Sequence, residues 1–80
     1  MKLSELPVSA AATVVSVADA MEGDAIGRRL RELGFVKGEL VKVVGRGPIG
    51  GDPLLVQVGF TRFALRRSEA ARVTVDRDPK

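Results

Sequence analysis

Leu33-Gly34-Phe35-Val36-Lys37-Gly38 is where this sequence changes period, from a helical pattern before it to a strand pattern after it. Gly34 falls where a helix C-terminus takes a residue at positive φ, a conformation glycine adopts without a Cβ clash. Gly38 suits the third position of a type II turn across Val36, Lys37, Gly38 and Glu39, which also needs φ > 0. Phe35 and Val36, held between the two reversals, are expected to point inward as an apolar plug. Two glycines four residues apart thus encode an abrupt helix-to-strand corner.

Upstream of the corner, Ile26, Leu30 and Leu33 recur at i, i+4 and i+7, which predicts a helix over about Ala25 to Leu33 with one apolar stripe. Asp24 is placed as its N-cap, because a carboxylate accepts a first-turn N–H and favours the positive end of the helix dipole. Arg28 and Glu32 are spaced to pair across one turn. Gly27 costs the helix roughly 1 kcal/mol relative to alanine, a loss that close packing against the sheet would offset. Before the helix come a loop (Asp19 to Gly23) and a strand, Ala12 to Ala18, with Val15 and Val17 on one face and Val14 on the other. Leu3-Ser4-Glu5-Leu6 suits a single helical turn stopped by Pro7 and closing one end of the core.

Downstream, Leu40 to Val44 reads as a strand, and the glycine-rich stretch Gly45 to Pro53 as a long connection with Ile49 at its tip. That stretch lacks the GxxxxGK[ST] spacing of a phosphate loop and opens no helix. Leu54 to Val58 alternates as a third strand, and a tight turn at Gly59, Phe60 and Thr61 returns the chain into Arg62 to Arg66. In this fourth strand Phe63 and Leu65 face the core, and Arg62 and Arg66 face water. A short helical turn, Arg67 to Ala70, precedes a last strand, Ala71 to Val75, and residues 76–80 are expected to fray. The predicted fold is therefore mostly β: one domain over 1–80, ordered from about 3 to 75, a small SH3-like five-stranded barrel with one inserted helix and short helical turns. Barrel closure would remove exposed strand edges. The alternative is an α+β split sheet with one packed helix.

Composition excludes several chemistries. There is no cysteine and no histidine, so disulfides, zinc clusters and most nucleophile or general-base arrangements are absent. No apolar run approaches the roughly 20 residues of a membrane span, and the N-terminus lacks the apolar core of a signal peptide, so a cytoplasmic, non-enzymatic protein is expected. The net charge of +3 is carried largely by arginine, at Arg28, Arg29 and Arg31 and again at Arg62, Arg66 and Arg67. A nucleic-acid surface usually has a denser basic patch with aromatics to stack on bases. Here the phenylalanines, Phe35, Phe60 and Phe63, are assigned to the core, which argues against that reading.

Four blocks carry a family resemblance: Leu30-x-x-Leu33-Gly34-Phe35-x-x-Gly38; Val41-x-Val43; Gly47-Pro48-Ile49-Gly50-Gly51-Asp52-Pro53; and Phe63-Ala64-Leu65-Arg66-x-x-Glu69-Ala70-x-x-Val73-x-Val75. In this order and spacing they resemble the FeoA family, small cytoplasmic proteins of bacterial ferrous-iron uptake. The resemblance implies an SH3-like barrel and a role as partner of the permease FeoB, whose cytoplasmic part is a GTP-binding domain. The same domain type is similar to the C-terminal module of metal-dependent repressors, so a free-standing interaction module of that kind, or a weak RNA- or DNA-binding barrel, stands as the alternative. Lys37 departs from the proline common in the family before the second turn glycine, and the first strand is entered through Val8-Ser9-Ala10 rather than a glycine.

The expected partner surface comprises Arg28, Arg29, Arg31, Arg46, Ile49 and Arg62, with Asp24, Gly34, Gly38, Phe35 and Pro48 as structural residues. No catalytic residue is assigned. No tight metal site is expected within one chain: Asp19, Glu22 and Asp24 form the one local acidic cluster, read as a polar loop with a helix cap. A weak or intermolecular site for a transition metal such as Fe²⁺, and a weak homodimer through exposed strand edges, stay open.

Overall fold

The computed structural model describes residues 1–77. A 3-10 turn at Leu3–Glu5 leads into β1 (Ala11–Val17) and α1 (Ala25–Glu32). After the corner come β2 (Leu40–Gly47), β3 (Gly51–Val58), β4 (Thr61–Leu65), the single turn α2 (Arg67–Ala70) and β5 (Val73–Arg77). The strands form one antiparallel sheet in the order β4-β3-β2-β1-β5. This is the expected mostly-β, five-stranded architecture and not the split-sheet alternative, although β4 and β5 do not pair, so the sheet keeps two outer strands instead of closing as expected. Bulges between Val43 and Gly45 in β2 and between Val14 and Ser16 in β1 bend the sheet around its apolar face.

The corner sets this arrangement. Gly34 and Gly38 sit at φ +113° and +92°, and the Phe35 N–H returns to Leu30 O while Glu39 N–H closes its turn on Val36 O. The turn is then stitched to β1: Gly38 N–H donates to Val14 O at 2.9 Å and Val14 N–H to Glu39 O at 2.8 Å. Phe35 is completely buried and meets Phe63 at a tilted 6.3 Å between ring centroids. Val36, expected to be the second half of the plug, is instead exposed. It is the first residue of the turn and its side chain leaves the molecule there, so Phe35 alone fills the junction.

The core around Phe35 is aliphatic: Leu3, Leu6, Val14, Leu30, Val41, Val43, Leu54, Val56, Leu65, Val73 and Val75, with no polar or charged residue buried among them. In β1 the inward residues are Ala12 and Val14, and Val15 faces out. On α1 the buried positions are Gly27 and Leu30, whereas Ile26 is exposed. The apolar stripe is therefore rotated from the expected one. Gly27 faces the Asp19 side chain rather than the sheet, and a Cβ there would overlap the carboxylate.

The chain departs most from expectation between Gly45 and Pro53. The long connection is a hairpin, with β2 running to Gly47 and β3 beginning at Gly51. Gly47 permits it: a Cβ there would lie 2.7 Å from both Asp52 C and Pro53 Cδ. The β3–β4 hairpin is tighter still. Val58 pairs with Thr61 across Gly59 and Phe60, and Gly59 at φ +59° followed by a residue at negative φ fits a type II′ turn. Phe60, assigned to the core from sequence, stands fully exposed at that tip. The turn directs its side chain off the end of the sheet.

The last strand begins at Val73 rather than Ala71 and continues through Asp76 and Arg77, which pair with Thr13 and Ala12. Fraying is thus not seen at 76–77, and 78–80 lie outside the described residues. The outer edge of β5 is covered by the N-terminus, where Val75 N–H donates to Met1 O and Lys2 bridges Thr74.

Candidate partner surface

The six residues of the expected surface separate into four places. Arg29 and Ile49 come together. With Asp52, Pro53, Ala64, Arg66 and Glu69 they line an open groove of about 610 Å³ between α1, the β2–β3 hairpin and the β4–α2 junction. Ile49 is 80% exposed at the hairpin tip. Arg67 holds that tip in place, its guanidinium donating to Gly50 O at 2.7 Å and its N–H to Asp52 Oδ1 at 2.8 Å. Pro48 stands beside Ile49 in the same reversal.

The groove is lined by two guanidiniums, Arg29 and Arg66, and two carboxylates, Asp52 and Glu69. Asp52 is occupied by the Arg67 N–H, and Glu69 accepts the Arg66 N–H at 2.9 Å as the cap of α2. The two ion pairs among the described residues are Arg31–Asp19 and Arg72–Asp24, so the guanidiniums of Arg29 and Arg66 have no carboxylate partner among those residues. Two guanidiniums unpaired among the described residues, beside an exposed isoleucine, can take up an acidic chain with an apolar side chain in it.

Arg28 and Arg31 lie on a second, smaller groove of about 370 Å³ with Asp19, Gly23, Asp24 and Glu32. Arg31 is engaged there: its guanidinium donates to Asp19 Oδ2 at 3.0 Å and to Val17 O at 3.1 Å. The expected Arg28–Glu32 pair is not formed. Arg62 sits on the outer face of β4, with Nε donating to Gln57 Oε1 at 3.2 Å.

Arg46 has a structural engagement of its own. Its guanidinium donates to Leu6 O at 2.9 Å and to Ser4 O at 3.4 Å, clamping the N-terminal turn over the core. A hydrogen bond from a charged donor contributes about 1.5–3 kcal/mol, so Arg46→Ala is expected to cost about 1.5 kcal/mol, the lower end because the contact is partly solvated. The check is a lowered urea midpoint together with faster amide exchange in residues 3–6.

Asp24 caps α1 as expected, Oδ1 accepting the Ile26 N–H at 3.0 Å, while Oδ2 takes the Ala20 N–H at 2.8 Å and the Arg72 guanidinium. The acidic cluster does not fit a resident transition metal. The Asp24 and Asp19 carboxylates each face an arginine, and no three acidic side chains converge among the described residues.

Sequence reading missed Asp52, Pro53, Ala64, Arg66 and Glu69 as walls of the groove. Arg66 did carry a signal, since period two in β4 already turned it toward water. Its meeting with Ile49 depends on the Arg67 ties to Gly50 and Asp52, 17 and 15 residues away in the chain, and no local pattern marks these.

No helix among the described residues is long and apolar enough to cross a membrane. Residues 1–77 match the family model described as the FeoA domain. Over 77 residues the chain is 36% identical to the Fe(2+) transport protein A/Fe(2+) transporter FeoB fusion protein of Porphyromonas gingivalis, an alignment covering 95% of this chain and 8% of that much longer protein. The crystal structure of zinc-complexed FeoA from Stenotrophomonas maltophilia, described as an SH3-domain protein, is 70% identical, with a TM-score of 0.88 over 95% of this chain and 89% of that one. A manganese-dependent transcriptional repressor superposes with a TM-score of 0.82 at 18% identity, over 96% of this chain and 41% of the repressor, a likeness of fold alone. With the family model matched through residue 77 and the SH3-like barrel in common, the chain belongs to the FeoA family, which is associated with ferrous-iron transport.

Proposed function

We propose that this domain is an accessory of bacterial ferrous-iron uptake that acts in the cytoplasm, binding FeoB and modulating it, through the groove lined by Arg29, Arg66 and Ile49 and the neighbouring one that holds Arg28. One observation carries the reading: the chain aligns along 95% of its length with part of a protein named as a fusion of FeoA with FeoB. Fusing two modules holds each near the other at high effective concentration, an arrangement that serves modules working together. The domain contributes contacts rather than catalysis. Iron is the permease's cargo in this reading, and any metal contact of the domain is weak or shared with a partner, since two of its three clustered carboxylates, Asp19 and Asp24, are paired with arginines.

Charge on such a face acts on encounter rate and specificity more than on raw affinity, and reversing it adds repulsion. The double variant Arg28→Glu/Arg29→Glu is therefore expected to lower capture of the domain by affinity-tagged FeoB about tenfold or more, with its circular dichroism spectrum and urea midpoint near wild type. Capture at wild-type strength by the folded variant would remove this face from the reading. Deletion of the gene should also lower ferrous-iron uptake in cells that retain FeoB, and unchanged uptake would count against the accessory role itself.

A further inference from the structure

The sheet has two outer strands, and the structure treats them differently. The outer edge of β5 is covered by residues 1–2, whereas β4 has no backbone partner on its outer side among the described residues. In a hairpin with a two-residue turn the closing pair, here Val58–Thr61, is the hydrogen-bonded one. Bonded and non-bonded pairs then alternate, so Val56–Phe63 and Leu54–Leu65 are bonded, and Arg62 and Ala64 turn their N–H and C=O groups outward. Both residues are exposed. Ala64 also lines the groove that holds Ile49, Arg29 and Arg66.

We propose that β4 is a docking edge that takes up an extended, acidic segment of a partner protein as a sixth strand, with Arg62 and Ala64 supplying the backbone hydrogen bonds and Arg29, Arg62 and Arg66 selecting its charge. Main-chain pairing gives affinity in this mode, and alternate side chains give specificity. Charge decides the occupant. Antiparallel self-pairing of β4 centred on Ala64 sets Arg62 directly opposite the second copy's Arg66, and centring on Phe63 makes the two Arg62 residues diagonal neighbours. Like charges facing one another across strands are destabilising. A second copy is thus disfavoured, and a strand with carboxylates on that face is favoured.

This inference rests on the proposed partner role only for the source of the segment. The edge itself is tested with probes of known sequence. An octapeptide alternating glutamate and valine is titrated into ¹⁵N-labelled full-length domain, with a lysine–valine octapeptide as the charge control. The expected result is saturable shifts of the Arg62 and Ala64 amides with slowed exchange at both, and at least about tenfold weaker binding of the lysine peptide. Ala64→Pro removes only an outward donor, a place where an edge strand tolerates proline, and should abolish the shift and slowed exchange that remain readable at Arg62. Should that variant misfold, Arg62→Glu/Arg66→Glu serves instead, and its preference should swing to the lysine peptide. No shift at Arg62 and Ala64 up to millimolar glutamate peptide, equal binding of both peptides, or concentration-dependent self-pairing through β4 would each overturn the inference. Capture by FeoB separates the two readings: if folded Ala64→Pro is captured as well as wild type, FeoB does not add a strand here, yet remains a partner. If wild type is not captured at all, the FeoB reading fails, and the peptide titration still decides the edge.

Discussion

Phe35→Ala is expected to cost about 3–5 kcal/mol, the range for deleting a buried phenylalanine ring. Phe35 has no exposed surface and is the largest fully buried side chain among the described residues, at the point where α1 hands over to the sheet. The loss combines transfer of the ring, the cavity left behind, and the Phe63 contact, an aromatic pair contributing about 0.5–1.5 kcal/mol beyond its area. The site cannot collapse easily, because the backbone on both sides is fixed by Gly34 and Gly38 and tied to Val14. A domain of this length has roughly 4–12 kcal/mol of total stability at typical per-residue values, so the substitution removes a large share of it. Urea unfolding is the measurement: the midpoint should fall with the slope unchanged, since the surface exposed on unfolding hardly differs. Phe35→Leu keeps most of the volume and should lose only about 1–1.5 kcal/mol. Equal and small losses in both variants would mean that the corner is held by its backbone bonds and not by the ring.

The corner shows what a sequence of this kind makes legible. Positive φ is a local demand that few residues meet, so Gly34 and Gly38 announce their conformations without knowledge of the fold. The cap at Asp24 is equally local, because its first partner is the N–H of Ile26, two residues on. What stayed hidden depends on distance along the chain. Arg46 reads as one more surface cation until the carbonyl of Leu6, 40 residues earlier, is found against it. Gly45 to Pro53 reads as a loop because glycine and proline weaken any strand pattern. Only the close approach of Asp52 and Pro53 to Gly47 explains why that composition builds a hairpin. The same holds for the groove. Ile49 and Arg29 are each visible as an oddity and a charge, but α2 brings their walls together by holding the hairpin tip with Arg67.

Asp24→Ala should cost about 2–3 kcal/mol, a helix cap of about 1 kcal/mol together with a charge-assisted hydrogen bond of about 1.5 kcal/mol or more in a partly buried pair. The Asp24 side chain is 8% exposed and Arg72 is 25% exposed. Two carboxylate oxygens there meet three donors: the Ile26 and Ala20 N–H groups and the Arg72 guanidinium. Alanine leaves all of them without an acceptor, fraying the first turn of α1, freeing the loop before it and stranding a guanidinium at the start of β5. Asparagine is not a conservative replacement. One of its two terminal atoms becomes an NH₂ group, and either orientation of the amide sets a donor against a donor. A cap asparagine alone would rank with aspartate, so a loss well above 1 kcal/mol in Asp24→Asn isolates the part played by Oδ2 and Arg72. The decisive measurement is a double-mutant cycle with Arg72→Ala. Once Asp24 is alanine, removing Arg72 should cost much less than it does in the wild type, giving a coupling of about 1–3 kcal/mol. Because the carboxylate is nearly sealed from solvent, most of that coupling should survive in 1 M salt, where an exposed pair would be screened. Additive losses, or a coupling that salt abolishes, would reduce Asp24 to an ordinary helix cap and leave Arg72 a surface residue.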